Sequence, residues 1–148
     1  MSLILNLPNR AVVRPWLTVG DLTSCGTMAD IGIHIYRSDF APRCDGLNRY
    51  KESLSFDYKD GEAFTPAMFS ELDRCADRIR NAQLTVLVHC HAGVTRSASV
   101  AAYLLSRVEG LDIFDAISEV SKAIWRDRKL AANAGCYEFV TSVLKRNA

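Results

Sequence analysis

The chain has 148 residues, 49% of them hydrophobic and 24% charged, and its 18 Lys+Arg against 17 Asp+Glu leave a net charge of +1. That size and apolar content suit one domain, residues 1–148, that buries a core without disulfides or metals, and they exclude a disordered chain. The even charge balance speaks against a nucleic-acid partner, because such affinity is built from an excess of clustered Lys and Arg.

Trp16 to Val19, followed by Gly20, reads as a short strand, and Ile31 to Tyr36 alternates Ile31, Ile33 and Ile35 with Gly32, His34 and Tyr36. Arg37 to Arg49 is loop-like, with Pro42 and Gly46. A third strand is expected at Leu54, Phe56 and Tyr58, ended by Lys59-Asp60-Gly61. Thr65-Pro66 then opens a helix: the threonine caps free N–H groups, and proline at the first helical position gives up a donor that had no partner. Phe69, Leu72, Cys75, Ala76 and Ile79 carry this helix to about Asn81. Leu84 to Val88 has the uncharged, β-branched character of a central strand buried on both faces. After Arg96, Ser97 to Leu105 is apolar nearly all round, as in a buried helix, and Gly110 stands where a left-handed terminator belongs. Asp112 caps a further helix with Ile113, Ala116, Ile117, Val120 and Ile124 inward. A last helix spans about Tyr137 to Lys145, with Phe139, Val140, Val143 and Leu144 inward. Strands alternating with helices imply an α/β fold with a largely parallel central sheet flanked by helices, and ligands in such sheets bind beyond the carboxyl ends of the strands.

The segment His89-Cys90-His91-Ala92-Gly93-Val94-Thr95-Arg96-Ser97 lies between the buried strand and the buried helix. A turn from strand into helix aims successive backbone N–H groups and the positive helix end at one point, a cradle for an anion such as phosphate. Gly93 permits the tight turn. Cys90 and Arg96 stand at its two ends, so thiol and guanidinium converge on the same anion, and Arg96 is suited to grip two phosphate oxygens. Such surroundings lower a thiol's pKa from about 8.5 into the range of roughly 3.5 to 7.5, making Cys90 a thiolate nucleophile that needs no separate base.

His-Cys, five residues, then Arg-Ser resembles the signature of the cysteine-dependent protein tyrosine phosphatases, and His-Cys-x-Ala-Gly-x-Thr-Arg-Ser is similar to that of their dual-specificity branch. The resemblance extends over Trp16-Leu17-Thr18-Val19-Gly20, Asp30 to Ile35, Ala101 to Leu105 and Asn133-Ala134-Gly135, or roughly Arg14 to Leu144. It implies a single catalytic domain and a metal-independent, cofactor-free phosphatase acting on phosphotyrosine and phosphoserine or phosphothreonine in proteins. It also implies roles. Cys90 is the nucleophile, Arg96 binds phosphate, and Ser97 assists breakdown of a phosphocysteine. His89 supports the loop, and His91, Ala92, Gly93, Val94, Thr95 and Arg96 form the phosphate cradle. The family's proton donor is an aspartate some thirty residues before the cysteine, which matches Asp60, just beyond a strand end; Asp57 is the weaker choice because it points the other way along the strand.

Plainer readings stand beside several of these. Asp60 also fits an ordinary Asp-Gly turn, Ser97 a helix cap, His91 a solvated loop residue and Asn133 either a cap or a brace for the site. The region Trp125 to Leu130 lacks the prolines usual in the family, and Arg126 and Arg128 read as a solvated basic face rather than a receptor for a second acidic group. The variable loop positions carry no lysine, which favours phosphoprotein over phosphoinositide. Phosphatases of RNA 5′ ends, phosphoinositides or glycans, and a phosphopeptide-binding adaptor with little turnover, are the alternatives. The longest stretch free of charged residues, Asn81 to Thr95, is shorter than the roughly 20 apolar residues of a membrane span, and Met1 to Pro8 resembles no secretory leader. Cys25, Cys44, Cys75, Cys90 and Cys136 are odd in number and scattered, so neither a disulfide framework nor a zinc site is expected, and a reducing, cytoplasmic setting follows. Any of the other four close to Cys90 would protect it as a disulfide during oxidation.

Overall fold

Five strands form one sheet in a computed structural model that describes residues 10–21, 28–36, 49–59, 62–90, 95–130 and 134–148. Strand β1 (Arg10–Arg14) pairs antiparallel with β2 (Leu17–Gly20). The remaining strands, β3 (Ile31–Tyr36), β4 (Glu52–Asp57) and β5 (Val86–His89), run parallel to β2, in the order β1-β2-β5-β3-β4. The largely parallel sheet expected from the strand–helix alternation is therefore present, with one antiparallel edge. Strand β1 was not among the expected elements. Its five residues offer only Ala11 and Val13 as inward positions, too short a pattern to stand out. Tertiary ion pairs anchor it: Arg14 reaches Glu109 at 3.0 Å and Glu119 at 2.9 Å.

Strand β5 starts two residues later than the apolar run suggests, because Thr85 is drawn into a local exchange with Asp30. The Thr85 N–H donates to Asp30 Oδ2 at 2.9 Å, and the Asp30 N–H donates to Thr85 Oγ1 at 3.0 Å. The chain then enters the centre of the sheet, buried at all four strand positions. In β3 both faces are buried, and Gly32 is required by close approach: a Cβ there would lie 2.4 Å from the Tyr50 ring.

Helix α1 (Pro66–Ala82) begins as the sequence predicts, with Thr65 Oγ1 accepting the Met68 N–H at 3.2 Å and proline in the first turn. It is followed by α2 (Thr95–Glu109), α3 (Ile113–Arg128) and α4 (Tyr137–Asn147). Gly110, at φ +71°, terminates α2 as expected, and Asp112 Oδ1 caps α3 by accepting the Phe114 N–H at 2.8 Å. Helix α2 packs on β2 and β5 and is itself covered by α1 and α3. That encirclement explains why Ala98 and every residue from Val100 to Leu105 is buried. Two details of the inward faces differ. Ala123, not Ile117, completes the buried stripe of α3, and Leu144 is 45% exposed because Phe139, Val140 and Val143 already occupy the inward face of α4.

Phe64 sits among Tyr58, Phe69, Tyr103 and Phe139, with ring centroids 4.8 to 5.8 Å apart. The Tyr103 hydroxyl donates to Asp73, which also receives Arg146 at 2.8 Å and Arg107 at 3.3 Å, so one carboxylate joins α1, α2 and α4. No helix among the described residues is long and apolar enough to cross a membrane.

Candidate active site

Parallel register brings the chemistry together. His89, the last residue of β5, lies opposite Gly20 of β2 on one side and His34 of β3 on the other. Pairing continues one residue beyond the strand, where the Cys90 N–H donates to the Gly20 carbonyl at 3.3 Å. Cys90 is thus fixed at the carboxyl end of the central strand, and it is fully buried.

The first turn of α2 meets it there. Ser97 Oγ lies 3.4 Å from Cys90 Sγ, and the Ser97 hydroxyl donates to the same Gly20 carbonyl at 3.3 Å. Ser97 therefore faces the thiol from inside the helix rather than capping it, since the helix already begins at Thr95. Arg96, one residue earlier, is only 6% exposed. The sulfur thus lies at the N-terminal end of the 15-residue helix α2, the positive end of its dipole, and the guanidinium-bearing Arg96 of the same turn is buried.

Behind the thiol, the His34 and His89 rings stack with centroids 5.0 Å apart and planes 20° from parallel. Burial pushes the His89 pKa down to about 4; the neighbouring His34 adds to this and Asp21 opposes it. Burial, and then the Arg96 charge, lowers His34 as well. Both rings are therefore neutral near pH 7. His34 had no role assigned from sequence: strand alternation predicts the face it occupies, but only the register with β5 reveals its partner.

His91, Ala92, Gly93 and Val94 lie outside the described residues, as do Asp60 and Asn133. Asp57 closes β4 and is exposed, while its neighbours Phe56 and Tyr58 are buried, the alternation that points it away from them. Ala134, next to Asn133, accepts a hydrogen bond on its carbonyl from Ser99 Oγ at 3.4 Å, so the chain before α4 is tied to α2.

The expectation for Arg128 needs correction. Its side chain is 6% exposed and pairs with Asp21 at 3.3 Å, so it is no part of a solvated basic face; Arg126 is exposed, and donates to Asp127 at 2.7 Å and to the Val12 carbonyl at 2.6 Å. Cys75 is buried in α1, where burial raises its pKa to about 11, and Cys136 precedes α4; Cys25 and Cys44 lie outside the described residues. Among the described residues, no group of three or more His, Cys, Asp or Glu side chains could hold a metal ion.

A scan against protein-family models finds no match, and a search of curated proteins finds none either. Solved structures do match. The chain is similar to Tk-PTP in its active form, with a TM-score of 0.68 and 22% identity over 95% of this chain and 96% of that one. It is similar to human DUSP28, with a TM-score of 0.68 and 20% identity over 93% and 92%. It is also similar to the human tyrosine phosphatase-like serine/threonine/tyrosine-interacting protein, with a TM-score of 0.73 and 19% identity over 95% and 96%. With Cys90 at the end of its central strand and Arg96 and Ser97 opening the helix that follows, the chain has the fold of the dual-specificity and tyrosine phosphatases.

Proposed function

We propose that the protein is a metal-independent phosphomonoesterase that hydrolyses phosphotyrosine and phosphoserine or phosphothreonine in proteins through a phosphocysteine. The observation that carries this reading is the contact of Cys90 Sγ with Ser97 Oγ at 3.4 Å, beside buried Arg96 in the first turn of α2. The Cys90 thiolate attacks phosphorus, a P–S bond forms, and the bond from phosphorus to the substrate oxygen breaks. Asp60 gives its proton to that oxygen. Arg96 and the backbone N–H groups of His91 to Arg96 hold the phosphoryl oxygens, a preorganised arrangement that acts where charge develops. In the second step Asp60, now a carboxylate, takes a proton from water as the water attacks phosphorus. The thiolate then leaves, stabilised by the Ser97 hydroxyl. His89 and Asn133 brace the loop.

Cys90→Ser tests the reading: turnover of a generic aryl phosphate should vanish while phosphate still binds, and full activity would remove Cys90 from its role. Asp60→Asn should lower kcat far more than it weakens binding; the same loss in Asp57→Asn instead would reassign the proton donor. Activity should persist with chelator and fall with vanadate. An adaptor that binds phosphopeptides with negligible turnover is the second reading, favoured by the likeness to a protein described as phosphatase-like and interacting. Wild-type rates no better than those of Cys90→Ser would support it. A panel of phosphotyrosine and phosphothreonine peptides, 5′-phosphorylated RNA and inositol phospholipids separates the substrate classes.

A further inference from the structure

Asp21 directly follows β2, and the carbonyl of the residue before it, Gly20, takes both the Cys90 N–H and the Ser97 hydroxyl. It is close enough to the catalytic strand to act on the His89 ring. A carboxylate in that place repels a thiolate on Cys90 and opposes its formation. Arg128, the last residue of α3, meets it: Nη2 lies 3.3 Å from Asp21 Oδ2, with the two side chains only 6% and 15% exposed. A guanidinium at a helix end has water within easy reach, and drawing it into the protein costs several kcal/mol unless an opposite charge is met there.

We infer that Arg128 is a positioning residue that cancels the charge of Asp21 beside the catalytic strand and so holds Cys90 in its thiolate form. The inference rests on Cys90 being the nucleophile. Among the described residues, the charged and titratable groups that meet at this end of the sheet are Arg96 from α2, the His34 and His89 rings from β3 and β5, Asp21 after β2 and Arg128 from α3; the proposed proton donor Asp60 and the loop residue His91 lie outside them. Burial holds both rings below their ordinary pKa, so near pH 7 they are neutral, and among the described groups Arg96 and the Asp21–Arg128 pair carry the charge. Within the pair the two charges largely cancel, so Arg96 and the positive end of α2 dominate. Removing one partner breaks that balance in a direction set by the partner removed.

The test reads the thiol without needing turnover. Alkylation of Cys90 by iodoacetamide is followed against pH, with the modified peptide identified by mass spectrometry so that the other four cysteines do not contribute. Arg128→Met should raise the Cys90 midpoint by about one pH unit, and Asp21→Asn should lower it by a similar amount. The double variant should return close to the wild type. The acid limb of kcat/KM for an aryl phosphate should move in step. Damage to packing would shift both single variants in the same direction, so opposite shifts are the signature of charge. Same-direction shifts, or an unmoved midpoint in either variant, overturn the inference. Should Arg128→Met fail to fold, Asp21→Asn decides alone: a fall supports the inference, and no change or a rise overturns it. Failure of the phosphatase reading is distinct, showing as wild-type turnover no faster than that of Cys90→Ser whatever the alkylation midpoints do.

Discussion

His89 should make the protein acid-labile well above the range in which carboxylates titrate. The ring is fully buried and stacked on His34, and neither of its nitrogens has a hydrogen-bond partner among the described residues. Folding takes its pKa from the ordinary 6.5 down to about 4. Below pH 6.5 the unfolded chain binds a proton at this position that the folded chain refuses. The stabilisation is therefore complete above 6.5, erodes as pH falls, and is gone by about 4. At 1.36 kcal/mol per pH unit the full loss is about 3 kcal/mol, of which about 2 kcal/mol has gone by pH 5. Burial also holds His34 low, with the same sign, whereas Asp30 and Asp127, held below their ordinary 3.8 by Thr85 and Arg126, matter only in stronger acid. The window from pH 7 to 5 thus isolates the histidines. Urea unfolding of Cys90→Ser, followed by tryptophan fluorescence, should be compared with Cys90→Ser/His89→Phe at both ends of that window; the shared serine removes the thiol's own titration. The phenylalanine protein should lose about 2 kcal/mol less on going to pH 5. Equal losses in the two proteins would refute the argument that an uncompensated buried imidazole sets this acid response.

Three structural predictions can be read by the same unfolding assay. Thr65→Ala removes the acceptor for the Met68 N–H and should cost about 1 kcal/mol, recovered by Thr65→Ser. Gly32→Ala places a Cβ against the Tyr50 ring, which is itself buried, and should cost about 2 kcal/mol or more, while Gly110→Ala meets open space and should cost only about 1 kcal/mol for its positive φ. Tyr103→Phe removes one of three donors to Asp73 and should cost about 1 kcal/mol, because Arg107 and Arg146 still hold the carboxylate.

Most of the fold is legible because its signals are local. Thr65-Pro66, Asp112 and Gly110 each act on the backbone within a few residues, and the cap geometry realises them directly. The uncharged run before His89 is legible for a different reason: a strand flanked by two parallel partners has no solvent face, so its composition alone reports its central place. Strand β1 escapes because its stability comes from afar. Arg14 reaches Glu109 and Glu119, and the Val12 N–H donates to Asp127 at 2.9 Å; nothing in the five residues themselves anticipates any of these partners.

The same division runs through the site. Cys90, Arg96 and Ser97 lie within eight positions of one another, from the end of β5 to the first turn of α2, and the spacing carries that information. His34 meets His89 only through the register of β3 with β5, and Arg128 meets Asp21 only through the length of α3. Arg128 shows how a sequence argument fails here. In Trp125-Arg126-Asp127-Arg128-Lys129 the charges look interchangeable, yet helical rotation sends Arg126 outward to the Val12 carbonyl and turns Arg128 inward to Asp21. One turn earlier or later, the helix would end with a different residue facing the strand, and Asp21 would lose the 3.3 Å ion pair with Arg128. The local segment places Cys90, Arg96 and Ser97, and the packing of distant elements decides which rings and charges meet the end of β5.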